Sequence, residues 1–138
     1  MFVKTRKFVD FLEDNGLNLF DIQSENDLDI LRHTEVSNGV SIQTVIFIED
    51  NACAEVMYIF AQCPNVVKRE QMQELLNKLN DDRKLKYYIR DDGTIIASFI
   101  YWATEENFDS RTLFSLYISF MNSIMENDLN RIMRIIWR

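Results

Sequence analysis

The sequence predicts an α+β domain with the element order α-β-β-β-α-β-β-α. The most informative stretch is 71–98, where an apolar-striped helix runs into an Asn-Asp-Asp stop and then into two strands joined through Asp-Asp-Gly. The chain has 138 residues, 47% of them hydrophobic, with only three glycines and one proline. This length and composition predict one domain spanning 1–138, without a linker and long enough to bury a core.

The first half of the chain is predicted to form one helix and three strands. Residues 3–14 repeat apolar side chains at helical spacing, and Asn15-Gly16 supplies a left-handed stop. The three strands are apolar-rich runs separated by turns of Ser, Asn, Gly and Asp residues: 28–35, 40–49 and 52–61. The run 28–35 is the most polar of them, which predicts an edge strand.

The second half begins with a helix and a hairpin. Pro64 ends the third strand, and Asn65 is placed to cap the next helix through its side-chain oxygen. The helix has the apolar stripe of a helix that lies on a sheet: Met72, Leu75, Leu76 and Leu79. The closing hairpin consists of two strands and an acidic turn: 85–90, 94–103 and Asp91-Asp92-Gly93.

The C-terminal region is predicted to be helical again after Asn107, with a break or a new helix cap at Glu126-Asn127-Asp128 before a last segment at 129–138. This last segment is basic, although the chain as a whole is acidic: Arg131, Arg134 and Arg138 lie close to Trp137. Two interpretations are open. The cations can receive an acidic partner, or they complement the dipole of the helix while Trp137 completes an apolar stripe.

Several strands are apolar on both faces, although a sheet with helices on one side needs only one apolar face. In the strand 40–49, one face is already apolar, and Val45 and Phe47 add apolar side chains to the other face. In the strand 52–61, Met57 and Ile59 likewise lie on the face opposite an apolar one. Another element must cover the second face, because an exposed apolar patch of several hundred Å² marks an interaction site. The choices are the terminal helix, a client segment or a second copy, and we expect a homodimer.

Aromatic residues of the closing hairpin form a second candidate surface. Large amphipathic rings often anchor interfaces, although ordinary sheet packing also accounts for them. The aromatic set consists of Tyr87, Tyr88, Phe99, Tyr101 and Trp102. Taken together, the predicted binding residues are Val45, Phe47, Met57, Ile59, Tyr101 and Trp102.

No catalytic or metal-binding pattern emerges from the sequence, so we expect no enzyme activity and no cofactor. The single histidine, His33, has no second imidazole to form a metal site with and is expected to be a solvated surface residue. The acidic pairs are placed to cap helices and fill turns: Asp81-Asp82, Asp91-Asp92 and Glu105-Glu106. Cys53 and Cys63 lie too far apart along an extended chain for a disulfide and are expected to be buried free thiols.

The charge and hydropathy of the chain restrict its partners. A net charge of −7 argues against non-specific nucleic-acid binding, which needs an excess of cations. No segment reaches the roughly 18 apolar residues of a membrane helix, and the N-terminal apolar run is interrupted by charges, unlike a secretory signal. We therefore expect a cytoplasmic protein that binds neither membrane nor nucleic acid.

The run LLNKLNDDRKLKYYIRDDGTIIAS resembles the signature of the YbjN family of small bacterial proteins, which are described as sensory-transduction regulators. The strand-turn-strand before Pro64 and the ending Leu129-Asn130-Arg131-Ile132-Met133 are similar to that family too. The resemblance covers roughly residues 5–137, and its motifs are structural. It implies an α+β sandwich like that of type III secretion chaperones: an antiparallel sheet with helices packed on it, usually dimeric and without enzyme activity.

These observations predict a non-enzymatic, protein-binding regulator or chaperone-like module that acts through an apolar sheet face or groove. The alternative is a small-molecule-binding sensory domain, in which the second face closes over a pocket. A hydrolase that uses Asp91 or Asp92 would require those carboxylates to converge in a cleft.

Overall fold

The protein forms a six-stranded antiparallel sheet with helices packed on it, which confirms the predicted α+β class. The structure is a computed structural model and describes residues 1–37, 39–51, 53–82 and 84–138. The strands are β1 (Asp21–Ser24), β2 (Leu28–Ser37), β3 (Val40–Glu49), β4 (Cys53–Gln62), β5 (Lys86–Ile89) and β6 (Thr94–Trp102). Their spatial order is β1-β2-β3-β4-β6-β5, so the chain runs as a four-stranded meander and then adds a hairpin beside β4.

The helices flank and follow these strands. They are α1 (Val3–Asp14), α2 (Val66–Asp82), α3 (Ser110–Ser123) and α4 (Leu129–Trp137), with a π-helical turn at Ile124–Asp128 joining the last two. The predicted cap of α2 is present, because the Asn65 side-chain oxygen accepts a hydrogen bond from the Val67 N–H at 3.0 Å. Asp109 caps α3 in the same way, through the Arg111 N–H at 3.2 Å.

The core lies between the helices and one face of the sheet. Strand side chains such as Ile46 and Tyr58 are completely buried there, next to Phe8 of α1, Leu76 of α2 and Leu113 of α3. Tyr58 and Tyr117 stack with ring centroids 6.1 Å apart. The hydroxyl of Tyr58 donates to the main-chain carbonyl of Tyr117 at 2.7 Å, which links the sheet to α3.

Two predicted features differ from the structure. The strand β1 was not predicted; it pairs with β2 from Asp21↔Arg32 to Ser24↔Asp29, so β2 is an interior strand and not an edge. The interruption predicted at Glu126-Asn127-Asp128 is present but takes an unpredicted form: α3 ends at Ser123, α4 begins at Leu129, and the π-helical turn between them keeps the backbone helical. Asp128 is completely buried in that turn, where its carboxylate accepts a 2.5 Å hydrogen bond from the Tyr87 hydroxyl.

The turns that the sequence predicts between the strands are found where the structure describes them. The predicted Asp91-Asp92-Gly93 turn is present, and Gly93 has φ +90°. The turn predicted at 37–39 has Gly39 at φ +77°, while its Asn38 lies outside the described residues, as does Ala52 of the predicted third strand. The single proline, Pro64, comes directly after β4 and the buried Cys63.

Candidate functional site: the open face of the sheet

The two faces of the sheet differ in what covers them. Successive strand residues point to opposite sides, so each strand contributes to both faces. The helix-covered face carries side chains that belong to the core and are 0% exposed: Leu31, Ile42, Ile46, Val56, Tyr58 and Ile95. The opposite face, which we call the open face, carries these hydrophobic residues: Ile30, Val45, Phe47, Met57, Ile59, Ile96, Ile100 and Trp102. The core includes none of these eight, and within the described residues every buried helical hydrophobic belongs to the core.

Four of the predicted binding residues meet at the centre of the open face. Val45 lies directly opposite Met57, while Phe47 and Ile59 lie two residues further along β3 and β4 respectively. Val45 and Met57 are only 5% and 7% exposed, and Phe47 and Ile59 are half-buried. The helices pack on the other side of the sheet. The side chains of Val45 and Met57 are therefore shielded from solvent by neighbouring side chains on the open face itself. The sequence-based prediction that these side chains share a face is therefore confirmed.

The end of β6 extends this apolar surface to the edge of the sheet. Trp102 lies opposite Cys53 and is 70% exposed, and Ile100 lies opposite Glu55 and is 44% exposed. The outer strand β5 pairs only with residues 95–98 of β6, so it does not flank this end. Trp102 is thus a large ring at the border of the open face, available to a molecule that packs on it.

Tyr101 does not share this surface with Trp102, although both are among the predicted binding residues. It lies opposite Ala54 on the helix-covered face, where its ring packs edge-on against Phe108 at 5.7 Å. Its hydroxyl accepts a hydrogen bond from the Asp109 N–H at 3.1 Å, at the start of α3. The aromatic set divides in the same way, because strand alternation sends Tyr87, Phe99 and Tyr101 to the core and Tyr88 and Trp102 to the open face.

The charged groups of the open face lie around its apolar centre. Arg32 is opposite Val45 on the β2 side, Glu55 is opposite Phe47 and Ile100, and Lys86 of β5 is opposite Ser98. The guanidinium of Arg32 donates to the Gln23 side chain at 3.0 Å. An apolar centre with single charges of both signs around it has the composition of a protein contact surface.

The histidine has a packing role on the opposite side. His33 is on the helix-covered face, with 19% of its side chain exposed, so the prediction of a fully solvated residue was wrong. Its ring packs against Phe20 at 5.8 Å, and its Nε2 atom lies 3.3 Å from the Glu35 carboxylate. Among the described residues, no group of three or more His, Cys, Asp or Glu side chains is arranged to hold a metal ion.

The acidic pairs and the thiols lie at structural positions. Asp92 accepts a hydrogen bond from the Thr94 N–H at 2.9 Å, and its bonds to Thr94 lower the pKa of its carboxyl. A carboxylate with a lowered pKa is a poor general acid or base near neutral pH. Both cysteines are free as predicted, but only Cys63 is buried; Cys53 is half-buried on the open face. Burial raises the pKa of the Cys53 thiol, and the nearby Glu49 and Glu55 raise it further.

A cleft opens at one end of the open face. The β3–β4 ladder stops at Gln43↔Ile59, and a bulge at Phe60 shifts β4 toward β6 beyond that point. The cleft has a volume of about 600 Å³, and α4 forms one of its walls. Its apolar lining consists of Val40, Ile59, Phe60, Ala61, Met133 and Trp137. Sequence reasoning missed this cleft, because nothing in the run 52–61 marks the position of the bulge.

Comparisons with known proteins add no assignment to these observations. The chain matches no model of a protein family, and a search of curated proteins finds no significant match. The resemblance to the YbjN family therefore stays a prediction. Within the described part of the chain, no helix combines the length and the apolar character that crossing a bilayer requires.

Proposed function

We propose that the protein is a non-enzymatic, protein-binding regulator or chaperone-like module that uses the open face as its contact surface. One observation supports this above all others: the described helices pack on one side of the sheet, and the other side still carries a hydrophobic centre. The solvent-accessible part of this side consists of the half-buried Phe47 and Ile59 together with Ile100 and Trp102, which are 44% and 70% exposed, and exposed apolar surface on a folded chain marks an interaction site. Under this proposal the resemblance to the YbjN family and its chaperone-like fold is an expectation that agrees with the surface.

The first occupant of the open face is a second copy of the chain. The four long strands β2, β3, β4 and β6 contain nine or ten residues each. With strands about 4.8 Å apart and a rise of about 3.3 Å per residue, they span roughly 600 Å². Two such faces in contact bury roughly 1,200 Å², which is the lower end of specific protein interfaces. The face also carries both Arg32 and Glu55, so two copies can place opposite charges against each other.

The absence of enzyme activity is part of the proposal. The carboxylates that a hydrolase would need fill turns instead, as Asp92 does at the start of β6. His33 contacts Glu35 and Phe20 on the helix-covered face, away from the open face. The alternative of a small-molecule sensor is best supported by the cleft at Trp137, whose volume of about 600 Å³ is within the usual range for ligand sites. A cytoplasmic setting without membrane or nucleic-acid partners remains our expectation.

Charged substitutions on the open face test the proposal. Phe47→Lys and Ile100→Lys each place a cation opposite Glu55, which supports folding of the single chain while opposing contact with an apolar partner surface. We expect light scattering to give twice the chain mass for the wild type and the single-chain mass for both variants. Ile118→Lys is the matched control, because Ile118 lies on α3 and is 37% exposed, close to the 44% of Ile100.

Circular dichroism establishes whether each variant is folded. Ile100 is 44% exposed, so Ile100→Lys is expected to retain the fold even if Phe47→Lys does not. A wild-type chain that keeps the single-chain mass at millimolar concentration contradicts the homodimer. Capture of the same protein partners by wild type and both folded variants contradicts the open face as the contact surface. A saturable rise in melting temperature with one metabolite, without any protein partner, would favour the sensory alternative instead.

A further inference from the structure

The cleft beside α4 combines an unpaired main-chain position of β3 with an apolar lining. Residues 40–42 of β3 pair with β2 on one side, but the ladder to β4 has already ended at Gln43↔Ile59. Successive residues of an antiparallel strand direct their main-chain groups alternately to the two neighbouring strands, and the pair Ser37↔Val40 next to the turn directs those of Val40 and Ile42 to β2. Ser41 therefore presents its N–H and C=O to the cleft, where the described strands offer no ladder partner, and a bound peptide can make main-chain hydrogen bonds there.

The walls of the cleft also offer side-chain contacts. Met133 and Trp137 of α4 line it together with Val40 of β3 and Ile59 of β4. Trp137 is 73% exposed, which is unusual for an indole with an apolar cleft beside it. The remaining lining residues in the described part of the chain are Gly39 and four neutral polar residues: Ser41, Gln43, Gln62 and Thr94. The lining is thus uncharged and suits apolar or neutral side chains.

The charge around the cleft has the opposite sign to the chain as a whole. The chain carries −7, but α4 and its terminal Arg138 contain three arginines and no acidic residue. All three arginines are exposed, on the side of α4 away from the core residues Leu129 and Ile132. Arg134 and Arg138 lie within one turn of Trp137. Lys68 adds a fourth cation here, since its ammonium group donates to the Ile136 carbonyl at 2.9 Å.

We propose that this cleft binds an extended apolar segment of a partner protein that is flanked by acidic residues. The apolar part lies in the cleft against Trp137 and reaches the main chain of Ser41, while the flanking carboxylates approach Arg134 and Arg138. The inference rests on the proposed protein-binding function and specifies its partner. It also separates two activities, because self-association uses the centre of the open face and the partner segment uses the cleft at its end.

Calorimetry with the wild-type chain and synthetic peptides tests the inference. The probe is a capped peptide of alternating valine and threonine with three glutamates at each end, and its counterpart has lysines in place of the glutamates. We expect saturable binding of the glutamate peptide that weakens as salt rises, and binding of the lysine peptide that is weaker by at least about tenfold. Arg134→Glu should weaken the glutamate peptide about tenfold, and Trp137→Ala should do so by a similar factor.

Arg6→Glu is the control for charge reversal. It changes the net charge by the same amount, but Arg6 is exposed on α1, away from the cleft. Failure to bind either peptide, equal affinity for both, or unchanged affinity in Arg134→Glu would each overturn the inference. The light-scattering comparison of the open-face variants does not depend on these peptides. A negative peptide result would therefore contradict the cleft as a binding site without contradicting self-association through the open face.

Discussion

Asp29 shows how a single buried carboxylate organises the N-terminal end of the structure. It is 1% exposed and accepts hydrogen bonds from the Phe2 N–H at 2.8 Å and the Thr5 hydroxyl at 2.5 Å, so it ties β2 to the start of α1. Burial alone would raise the pKa of this carboxyl. The hydrogen bonds from Thr5, Phe2 and Ser24 outweigh burial and hold the pKa below the ordinary value of 3.8.

We expect Asp29→Asn to destabilise the protein by about 2 kcal/mol at pH 7, because a neutral amide oxygen replaces the charged carboxylate oxygen that accepts from Phe2 and Thr5. Since the folded-state pKa lies below the unfolded value, the contribution of Asp29 is fully present above pH 3.8 and is lost as pH falls through the folded pKa. The difference in unfolding free energy between variant and wild type, measured by urea unfolding, should therefore shrink as the pH falls below 3.8. Asp27→Asn is the control, because Asp27 is exposed in the turn directly before β2 and its substitution should change the stability by less than about 0.5 kcal/mol. A difference in unfolding free energy between Asp29→Asn and wild type that stays constant with pH would contradict this role of Asp29.

Residue-scale roles were harder to predict than residue positions. The sequence placed Tyr101 with Trp102 as an aromatic pair, but neighbouring strand residues point to opposite faces, and only Trp102 reaches the open face. That alternation was present in the sequence and would have separated them. The role of Asp128 was not accessible in this way, because its partner Tyr87 lies 41 residues earlier in the chain.

At the scale of elements, the turn at Gly93 is the most constrained point of the hairpin. Its carbonyl accepts a 2.7 Å hydrogen bond from the Cys63 N–H, which joins the β5–β6 turn to the segment that follows β4. A Cβ atom at this position would lie 2.4 Å from the Cys63 carbonyl oxygen, a distance at which the backbone must move. The Asp-Asp-Gly turn that identified the hairpin is therefore also a tertiary contact.

We expect Gly93→Ala to destabilise the protein by more than about 2 kcal/mol, because it adds a backbone clash to the cost of a positive φ. Gly16→Ala is the matched control. Gly16 has φ +70° but no atom within 4 Å of the added Cβ, so it should cost only about 1 kcal/mol. Chemical denaturation of both variants gives the comparison, and equal losses would show that the contact with Cys63 has no energetic role.

The long elements were predictable because their hydrophobic periodicity is strong. The predicted bounds of α1 and β3 agree with the structure residue for residue. The short strand β1 was missed because all four of its residues are exposed, and only its ladder with β2 defines it. The bulge at Phe60, and with it the cleft, depends on how β4 follows β6 and not on any local pattern.

At the scale of the whole molecule, the helices all pack on one side of the sheet, and this determines which face is left for a partner. The sequence predicted more apolar strand surface than the helices can cover, and the structure places α1, α2, α3 and α4 against one side of the sheet. Five of the six predicted binding residues lie on the other side. What the sequence does not contain is the identity of the molecule that covers them, because an apolar surface specifies little about its partner beyond shape.

The open face and the cleft each contain one of the two tryptophans, which makes the central claim directly measurable. Trp137→Phe leaves Trp102 as the only indole, at the border of the open face. Acrylamide quenching of its fluorescence then reports how far solvent reaches this surface. The chain is diluted in steps from about 100 µM to about 10 nM, a range that covers the dissociation constants of most specific protein dimers.

We expect weak quenching of Trp102 at high concentration, because a second copy covers the ring, and a rise of several fold on dilution to single chains. Phe47→Lys in the same background should give the high value at every concentration. A quenching constant in the Trp137→Phe chain that is high and independent of concentration, as a 70% exposed indole in an isolated chain requires, would contradict the claim that a second copy packs on the open face.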